Sequence, residues 1–268
     1  MTRMSYRVGF IQNRPDFGDV ESNRARVAAM LEELEADLFV LPELFTTGYQ
    51  FRTADEARQM AEPIPGTTAE FLTALAKRKN AFIVAGLAEL EGGTVYNSSV
   101  ITGPGGLIGR YRKIHLFDTE KNIFQPGGEP PPVFQLGAAR VGVMICFDWR
   151  FPETARSLAL NGAEVIAHPS NLVLPHCPQS MITRCLENRV FAVTADRVGT
   201  ENRVEDETLH FIGQSQVVDP DGNVLVRASE TDEEARVVEI DLEKARRKSI
   251  NPVNDLFTDR RPDLYSTG

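Results

Sequence analysis

Short apolar runs recur along the whole chain, and segments with amphipathic helical spacing lie between many of them. Several runs are apolar on both faces, which is typical of strands buried between two layers of structure. Strands followed repeatedly by helices, with hairpin pairs inserted, indicate a mixed sheet covered by helices and therefore an α/β fold. The predicted strands are residues 6–12, 37–41, 81–87, 95–101, 107–111, 140–145, 164–168, 190–195, 210–218, 223–227 and 236–240.

Other segments have the signatures of helices and turns. Apolar residues at helical spacing predict a helix over residues 20–34. The spacing of Thr67 and Glu70 predicts a capping box at the start of a second helix, and residues 178–189 have the pattern of a third. The Gly-Pro-Gly-Gly sequence at 103–106 predicts a turn between two strands.

Composition restricts the classes of partner and location. The chain has 268 residues with 42% hydrophobic content, and we expect one domain over residues 1–268. A net charge of −9 argues against nucleic acid or anionic membranes as partners. No apolar stretch approaches the roughly 18–20 residues that span a bilayer. The first residues have no signal-peptide pattern, and an odd, sparse set of three cysteines argues against a disulfide scaffold. We therefore expect a reducing, cytoplasmic setting.

Side chains that can do chemistry follow the apolar runs at several places. Glu43 follows FVLP, Lys113 follows LIGRYR, Cys146 follows VGVMI and Asn171 follows EVIAHPS. Sites in α/β proteins form at the carboxyl ends of strands, so these residues are predicted to converge on one cleft. Each also has a simpler interpretation, with Glu43 as a solvated loop acid and Lys113 as one more cation on a basic strand edge.

The stretch VGVMICFDWRFPE at 141–153 leaves two interpretations of Cys146 open. A free cysteine at the end of a buried strand is commonly a small core residue. However, Phe151, Pro152 and Glu153 predict a helix start nearby. The positive end of that helix would lower the pKa of the thiol and enrich the reactive thiolate. The backbone N–H that follows Cys146 is also a candidate donor to an oxyanion.

A zinc hydrolase is one alternative to a thiol enzyme. His168, His176, Cys177 and Cys185 have suitable side chains, but their spacing matches no recognised zinc motif. His168 is better explained as a residue at the end of a strand that hydrogen-bonds the backbone, and no metal is expected. A non-catalytic interaction protein that retains only the fold is a further alternative.

Basic residues are concentrated in RYRKIHLF. Strand alternation places Arg110 and Arg112 on one face and Tyr111 and Lys113 on the other. Such a cluster suggests phosphate binding, but no glycine-rich phosphate loop precedes a helix.

Taken together, these segments resemble the nitrilase, or carbon–nitrogen hydrolase, superfamily. LPELFTTGY, YRKIHLF and GVMICFDWRFPE are similar to its glutamate, lysine and cysteine motifs in the same order, and HPSNL, LENRVFAVTADRVG and FIGQSQVVDPDG match later family segments. The resemblance implies a catalytic triad of Glu43, Lys113 and Cys146. It also implies that Glu120, in EKNIFQPG, is a second catalytic glutamate, although its local sequence indicates only a loop acid.

The same resemblance implies a four-layer α-β-β-α sandwich that pairs into an eight-layer homodimer. The LENRVF segment and the C-terminal tail, about residues 245–268, are the implied parts of that pairing. The resemblance implies no metal and no organic cofactor.

The implied reaction is hydrolysis of a non-peptide C–N bond in a small amide or nitrile through a cysteine thioester. The sequence Cys-Phe-Asp departs from the Cys-Trp-Glu of the nitrilase branch, so an amide is preferred, with nitriles and N-carbamoyl compounds as alternatives. Carbamoyl amino-acid hydrolases carry two arginines after the cysteine, and only Arg150 is present here. Its guanidinium binds a substrate carboxylate or pairs with Glu153 or Asp148. The expected substrate-binding residues are Tyr49, Phe117, Phe147, Trp149, Arg150 and Asn171.

Overall fold

A computed structural model describes residues 5–266 of the chain. The strands are Ser5–Gln12 (β1), Leu38–Val40 (β2), Phe82–Glu91 (β3), Thr94–Gly103 (β4), Gly106–Arg112 (β5), Val133–Leu136 (β6), Ala139–Val143 (β7), Val165–Pro169 (β8), Phe191–Ala195 (β9), Val198–Val204 (β10), Glu207–Ile212 (β11), Gln216–Val218 (β12), Val224–Arg227 (β13) and Glu234–Asp241 (β14). The α-helices are Val20–Leu31 (α1), Ala54–Met60 (α2), Thr67–Lys79 (α3), Glu120–Ile123 (α4), Pro152–Leu160 (α5), Cys177–Asn188 (α6) and Glu243–Arg246 (α7). Short 3-10 helices cover Cys146–Arg150 and Pro262–Leu264.

The strands form two six-stranded sheets and a separate hairpin. The first sheet has the order β14-β1-β2-β3-β4-β5, and the second has the order β13-β12-β9-β8-β7-β6. In each sheet three parallel strands lie at the centre, β1, β2 and β3 in one and β7, β8 and β9 in the other. Antiparallel strands flank both centres. The hairpin consists of β10 and β11.

The two sheets pack face to face, and helices cover their outer surfaces. Strand β1 contacts β9, and β2 and β3 contact β8 across the interface. Helices α1 and α3 lie on the first sheet, whereas α5 and α6 lie on the second. The predicted helix–sheet–sheet–helix order of a mixed α/β fold is therefore confirmed.

Alternation along β2 explains why its residues are apolar on both faces. Leu38 and Val40 belong to the core between the sheets, and Phe39 belongs to the core under α1 and α3. All three side chains are fully buried. Each face of the strand removes apolar surface from water, which is the main favourable contribution to folding.

One strand prediction was wrong. The segment 210–218 is not a single strand, because it divides into β11 and β12 around residues 213–215. Gly213 and Gln214 both have positive φ, at 60° and 55°, which breaks the extended conformation. The predictions also omitted β6 and β10, as well as helices α2, α4 and α7.

Two helix details differ from the predictions. Helix α1 ends at Leu31, so the helical pattern over 20–34 overestimated its length. The capping box at Thr67 is absent, because Gly66 is the N-cap of α3 and makes no side-chain capping bond. The Glu62 carboxylate instead accepts the Thr68 N–H at 2.7 Å. Glu62, in the loop before the helix, thus provides the capping hydrogen bond that was expected from the helix itself.

Among residues 5–266, none of the helices combines the length and apolar character that a bilayer crossing requires.

Candidate active site

Four polar residues meet where strands of the two sheets end. Glu43 follows β2 and Lys113 follows β5 in the first sheet, while Cys146 follows β7 and Asn171 follows β8 in the second. The Lys113 Nζ lies 2.7 Å from Glu43 Oε1. The Asn171 Nδ2 donates to the Glu43 carbonyl at 2.9 Å, and Cys146 Sγ lies 3.7 Å from the Asn171 carbonyl oxygen. The two sheets therefore contribute to one cluster.

The backbone around Glu43 is tightly constrained. Leu44, the next residue, has a φ of 49°. Across the sheet, a Cβ added to Gly86 of β3 would lie 2.5 Å from the Glu43 Cα, so only glycine fits there. The close approach and the left-handed turn fix the direction in which Glu43 leaves its strand.

Lys113 joins two buried carboxylates. Its Nζ lies 2.7 Å from Glu43 Oε1 and 2.8 Å from Glu120 Oε1. Glu120 is also held through its other oxygen, which accepts the Phe117 N–H at 2.7 Å. Asn97 of β4 donates from Nδ2 to Glu43 Oε1 at 2.7 Å and to Glu120 Oε1 at 3.3 Å. The pair thus shares one ammonium group and one amide group away from water.

Glu43 has the properties of a general base. Its side chain is fully buried, and its Oε2 has no hydrogen-bond partner among residues 5–266. Burial raises the pKa of Glu43, the charge of Lys113 opposes this and that of Glu120 adds to it, so that the pKa reaches about 7. A carboxylate with this pKa and a free oxygen can take up a proton near neutral pH.

Cys146 sits at a sharp backbone turn. It has a φ of 39° and begins the 3-10 helix that leads to α5. Asp148 stabilises the turn, because its Oδ2 accepts the Ile145 N–H at 2.8 Å and the Tyr111 hydroxyl at 2.9 Å. His168 Nε2 lies 2.9 Å from the Cys146 carbonyl oxygen. The turn places the thiol just beyond the end of its strand, within 3.7 Å of the Asn171 carbonyl oxygen.

The predicted effect of the helix dipole on the thiol was wrong. The pKa of Cys146 is raised well above its usual value by burial, and the charge of Glu43 raises it further against the opposing effect of Lys113. The 3-10 helix separates Cys146 from α5, so the thiol does not lie at the start of the longer helix. A thiol with a raised pKa is mostly protonated near neutral pH, so it would need a base in order to act as a nucleophile.

A small cavity opens beside the thiol. It is lined by Phe117, Cys146, Phe147, Trp149, Asn171, Leu172, Val173 and Leu174. The rings of Phe117 and Phe147 lie 5.0 Å apart. Apart from Cys146 and Asn171, the lining side chains are apolar or aromatic, which suits a small organic group.

Two of the expected substrate-binding residues lie outside this cavity. Tyr49 lines a separate cavity with Glu120. Its pKa is raised by burial first, and then by the charges of Glu120, Glu43 and Cys146. Arg150 is exposed, and its guanidinium lies 5.4 Å from the centre of the Trp149 ring. No ion pair joins Arg150 to Glu153 or Asp148 within residues 5–266, so that alternative was wrong.

Comparison with known proteins identifies the group to which this architecture belongs. The family profile described as "Carbon-nitrogen hydrolase" matches residues 7–248. The chain belongs to the carbon-nitrogen hydrolase family. A nitrilase from Pyrococcus abyssi is 50% identical over 97% of this chain and 98% of its own length. The predicted hydrolase of carbon–nitrogen bonds is confirmed at this level.

Solved structures agree with the family assignment. A carbon-nitrogen hydrolase from Helicobacter pylori G27 has a TM-score of 0.87 at 27% identity, covering 97% of both chains. A mutant amidase from Nesterenkonia sp. AN1 has a TM-score of 0.79 at 25% identity, covering 97% of this chain and 95% of that one. That structure shows the acetamide moiety of fluoroacetamide added covalently to its active-site cysteine.

The residues considered for zinc are not gathered in this carbon-nitrogen hydrolase. His168 is buried and bonds the Cys146 carbonyl oxygen and Thr194 Oγ1, and burial lowers its pKa to about 4. This is the backbone-satisfied histidine that the sequence indicated. His176 is exposed, while Cys177 and Cys185 are buried. Within the described part of the chain, no three His, Cys, Asp or Glu side chains are grouped to hold a metal ion.

The basic strand edge has a structural explanation. Arg110 and Arg112 lie on one face of β5, as alternation predicted, and both form ion pairs with the buried carboxylate of Glu89. Their charges are further balanced by Glu91. The cluster is therefore neutralised within the protein and does not form a phosphate site.

Two residues of the cluster were missed from the sequence. Asn97 lies inside β4, where YNSS reads as ordinary strand residues, and nothing local marks it as a donor to two carboxylates. Asp148 was considered only as a partner of Arg150, but it bonds Tyr111 and also His115 Nδ1, at 2.8 Å. Its position two residues after the cysteine was the available signal.

We expect iodoacetamide to alkylate Cys146 before Cys177 or Cys185. Cys146 lines the cavity, whereas the other two thiols have no exposed surface. The reaction should also slow in a Glu43→Gln variant, because the neutral thiol needs that carboxylate to lose its proton. Peptide mapping over time measures the order. Modification of Cys146 after both other cysteines would contradict the predicted access and activation.

Proposed function

We propose that this carbon-nitrogen hydrolase cleaves the C–N bond of a small carboxylic amide through a Cys146 thioester, releasing ammonia and a carboxylic acid. The observation that carries the proposal is the buried cluster of Glu43, Lys113 and Cys146, in which one Glu43 oxygen has no partner among the described residues 5–266. The covalent adduct on the cysteine of the Nesterenkonia amidase supports a thiol nucleophile.

In the first step, Glu43 takes the proton of Cys146 and the sulfur attacks the amide carbon, forming a C–S bond and a tetrahedral oxyanion. Lys113 stabilises this oxyanion together with the N–H of Phe147, the residue that follows the nucleophile. Donors aimed at developing charge are worth about 3–4 kcal/mol each in such sites. Lys113 is suited to this role because its ammonium group is buried and already placed. Burial lowers the pKa of Lys113, but the charges of Glu120 and Glu43 outweigh this and raise it.

In the second step, the C–N bond breaks, and the nitrogen leaves as ammonia with the proton held by Glu43. A water molecule then gives a proton to Glu43, and the hydroxide attacks the thioester. The C–S bond breaks, the acid is released, and the proton returns to the sulfur. Glu120 acts beside Glu43 by forming the second ion pair of Lys113, which helps to hold the lysine in place.

The cavity supports a small, uncharged acyl group as the substrate. The lining residues are mostly apolar or aromatic, and none of them is charged. Nitriles are the second candidate, which is favoured by the name of the Pyrococcus abyssi relative at 50% identity. For N-carbamoyl acids, a substrate carboxylate would have to reach the exposed Arg150 beyond Trp149.

The test is an ammonia-release screen of aliphatic amides, ω-amides, N-carbamoyl acids and nitriles, combined with intact-protein mass measurement during turnover. The proposal requires ammonia from at least one amide and a transient acyl mass that maps to Cys146. Turnover by a chain whose Cys146 is replaced would exclude the thioester route.

The activity should depend on pH through Glu43. Only the ionised carboxylate accepts the thiol proton, so kcat/KM should rise with pH along an acid limb centred near the Glu43 pKa of about 7. The Asn97 hydrogen bond lowers this pKa, so Asn97→Leu should move the limb to higher pH. Rates measured between about pH 5 and 9 provide the check. A limb centred near 4.5, the ordinary glutamate value, would contradict the role of burial.

We also propose one domain and a homodimer in a reducing, cytoplasmic setting. The three free thiols support the setting. The exposed Ile250, Val253 and Leu264 of the tail support pairing through that region. Residues 1–4 and 267–268 of the proposed domain, and hence the end of the tail, lie outside the described residues.

A further inference from the structure

Two acceptor oxygens beside the thiol have no hydrogen-bond partner among residues 5–266. They are Oε2 of Glu43 and Oδ1 of Asn171, whose side chains are 0% and 2% exposed. Leaving a buried acceptor unpaired is costly, so native sites pair such atoms with a ligand or with water. Both atoms belong to the cluster around Cys146, and Asn171 lines the same cavity as the sulfur.

The orientation of the Asn171 amide is fixed by its other contact. Its Nδ2 donates to the Glu43 carbonyl at 2.9 Å, which only the nitrogen end can do, so Oδ1 is the remaining end. The backbone carbonyl of the same residue lies 3.7 Å from Cys146 Sγ. The Asn171 side chain thus has a defined acceptor end, and it cannot turn that end into a donor without losing a buried bond.

The free oxygen of Glu43 has a role in the proposed reaction, because it receives the thiol proton. The proposed reaction steps assign no role to Asn171 Oδ1. Asn97 Oδ1 also has no partner within the described part of the chain, but Asn97 does not line the cavity. Of these three unpaired acceptors, only that of Asn171 belongs to a residue that lines the cavity.

We propose that Asn171 determines specificity by accepting a hydrogen bond from the N–H₂ group of a primary amide, and that the site consequently prefers amides to nitriles. The inference rests on the proposed function and names its substrate class. A nitrile nitrogen carries no hydrogen, so a bound nitrile leaves Oδ1 buried and unpaired. Sites with a dedicated polar partner reject analogues that lack the matching group much more strongly than apolar pockets do.

The test measures binding without turnover. In the Cys146→Ala protein, calorimetry compares affinities for matched pairs that share one acyl chain, such as butyramide with butyronitrile. We expect the amide to bind more tightly. Adding Asn171→Leu should weaken amide binding by about 5- to 100-fold more than it weakens nitrile binding, from the cost of a lost partner.

A second variant separates the acceptor from the structural bond. Asn171→Leu also removes the donation to Glu43, and that loss would affect both ligands equally. Asn171→Asp keeps an acceptor oxygen, and its protonated form at mildly acidic pH can also donate to the Glu43 carbonyl. It should preserve the amide-to-nitrile ratio that Asn171→Leu abolishes.

Two results would overturn the proposal. One is an unchanged ratio of amide affinity to nitrile affinity in the Asn171→Leu variant. The other is that the protein with Asn171 binds no amide more tightly than the matching nitrile. Because affinities are measured without the nucleophile, these outcomes are distinct from a failure of the thioester mechanism, which appears in ammonia release by the unmodified chain.

Discussion

Replacing Cys146 with alanine is expected to abolish hydrolysis of every amide and nitrile while leaving the protein folded. Loss of a covalent nucleophile removes the thioester route entirely, so we expect turnover to fall by about 10⁴-fold or more. The structural cost is small, since the substitution deletes one buried sulfur whose hydrogen bond to the Asn171 carbonyl is long, at 3.7 Å. Alanine and cysteine both have a Cβ, so the φ of 39° should be equally strained in the two proteins.

Ammonia release and a thermal melt measure the two parts of this prediction. Cys177→Ala and Cys185→Ala are matched controls, because both thiols are free and fully buried. Their turnover should remain close to that of the unmodified chain. Undiminished activity in the Cys146→Ala variant would contradict the assignment of Cys146 as the nucleophile. Loss of activity in either control would point to another cysteine.

Replacing Lys113 with methionine should damage both catalysis and stability. The change leaves two buried carboxylates, Glu43 and Glu120, without the ammonium group that lies within 2.8 Å of both. Breaking a buried pair by removing one partner costs about 3–5 kcal/mol. Loss of one oxyanion donor costs about 10²- to 10³-fold in kcat.

The pH dependence distinguishes this loss from a simple packing defect. The Lys113 charge lowers the pKa of Glu43, so its removal should raise that pKa above about 7 and leave the base protonated at neutral pH. A raised carboxyl pKa gives stability that is present at acid pH and lost as pH rises through the folded value. The variant should therefore be least impaired in unfolding experiments at acid pH.

Lys121→Met is a suitable comparison, because Lys121 is exposed on α4 next to Glu120. Surface substitutions of this kind change the free energy of unfolding by no more than about 0.5 kcal/mol. Equal destabilisation of the Lys113 and Lys121 variants, or an unchanged acid limb in the Lys113 variant, would argue against the shared-lysine arrangement.

Much of the fold follows from hydrophobic pattern. Strands β1 and β4 were recognised to within two residues of their bounds, whereas the prediction for β3 ended four residues before Glu91. β6 was missed because only four residues follow the proline-rich segment PPP at 130–132. The break at Gly213 and Gln214 depends on two left-handed residues in succession, which hydrophobicity does not report.

The candidate site was less accessible to local reasoning. Glu43, Lys113 and Cys146 could be singled out because each follows a strand, but Glu120 came only from family resemblance. Its local sequence gives no indication that Lys113 binds it across a turn. The raised pKa of the Cys146 thiol depends on burial and on Glu43, which is distant in sequence, so a rule based on neighbouring residues predicted the wrong direction.

The division of the candidate catalytic groups between the two sheets has a consequence for how the protein would lose activity. Glu43 and Lys113 belong to the sheet formed by the first strands, and Cys146 and Asn171 belong to the other. Neither half can assemble a working centre by itself. A slight slip of one sheet over the other would separate acid from sulfur while most secondary structure survived. Inactivation under heat or denaturant should thus precede the loss of helical signal, which makes turnover a sensitive reporter of how the halves dock.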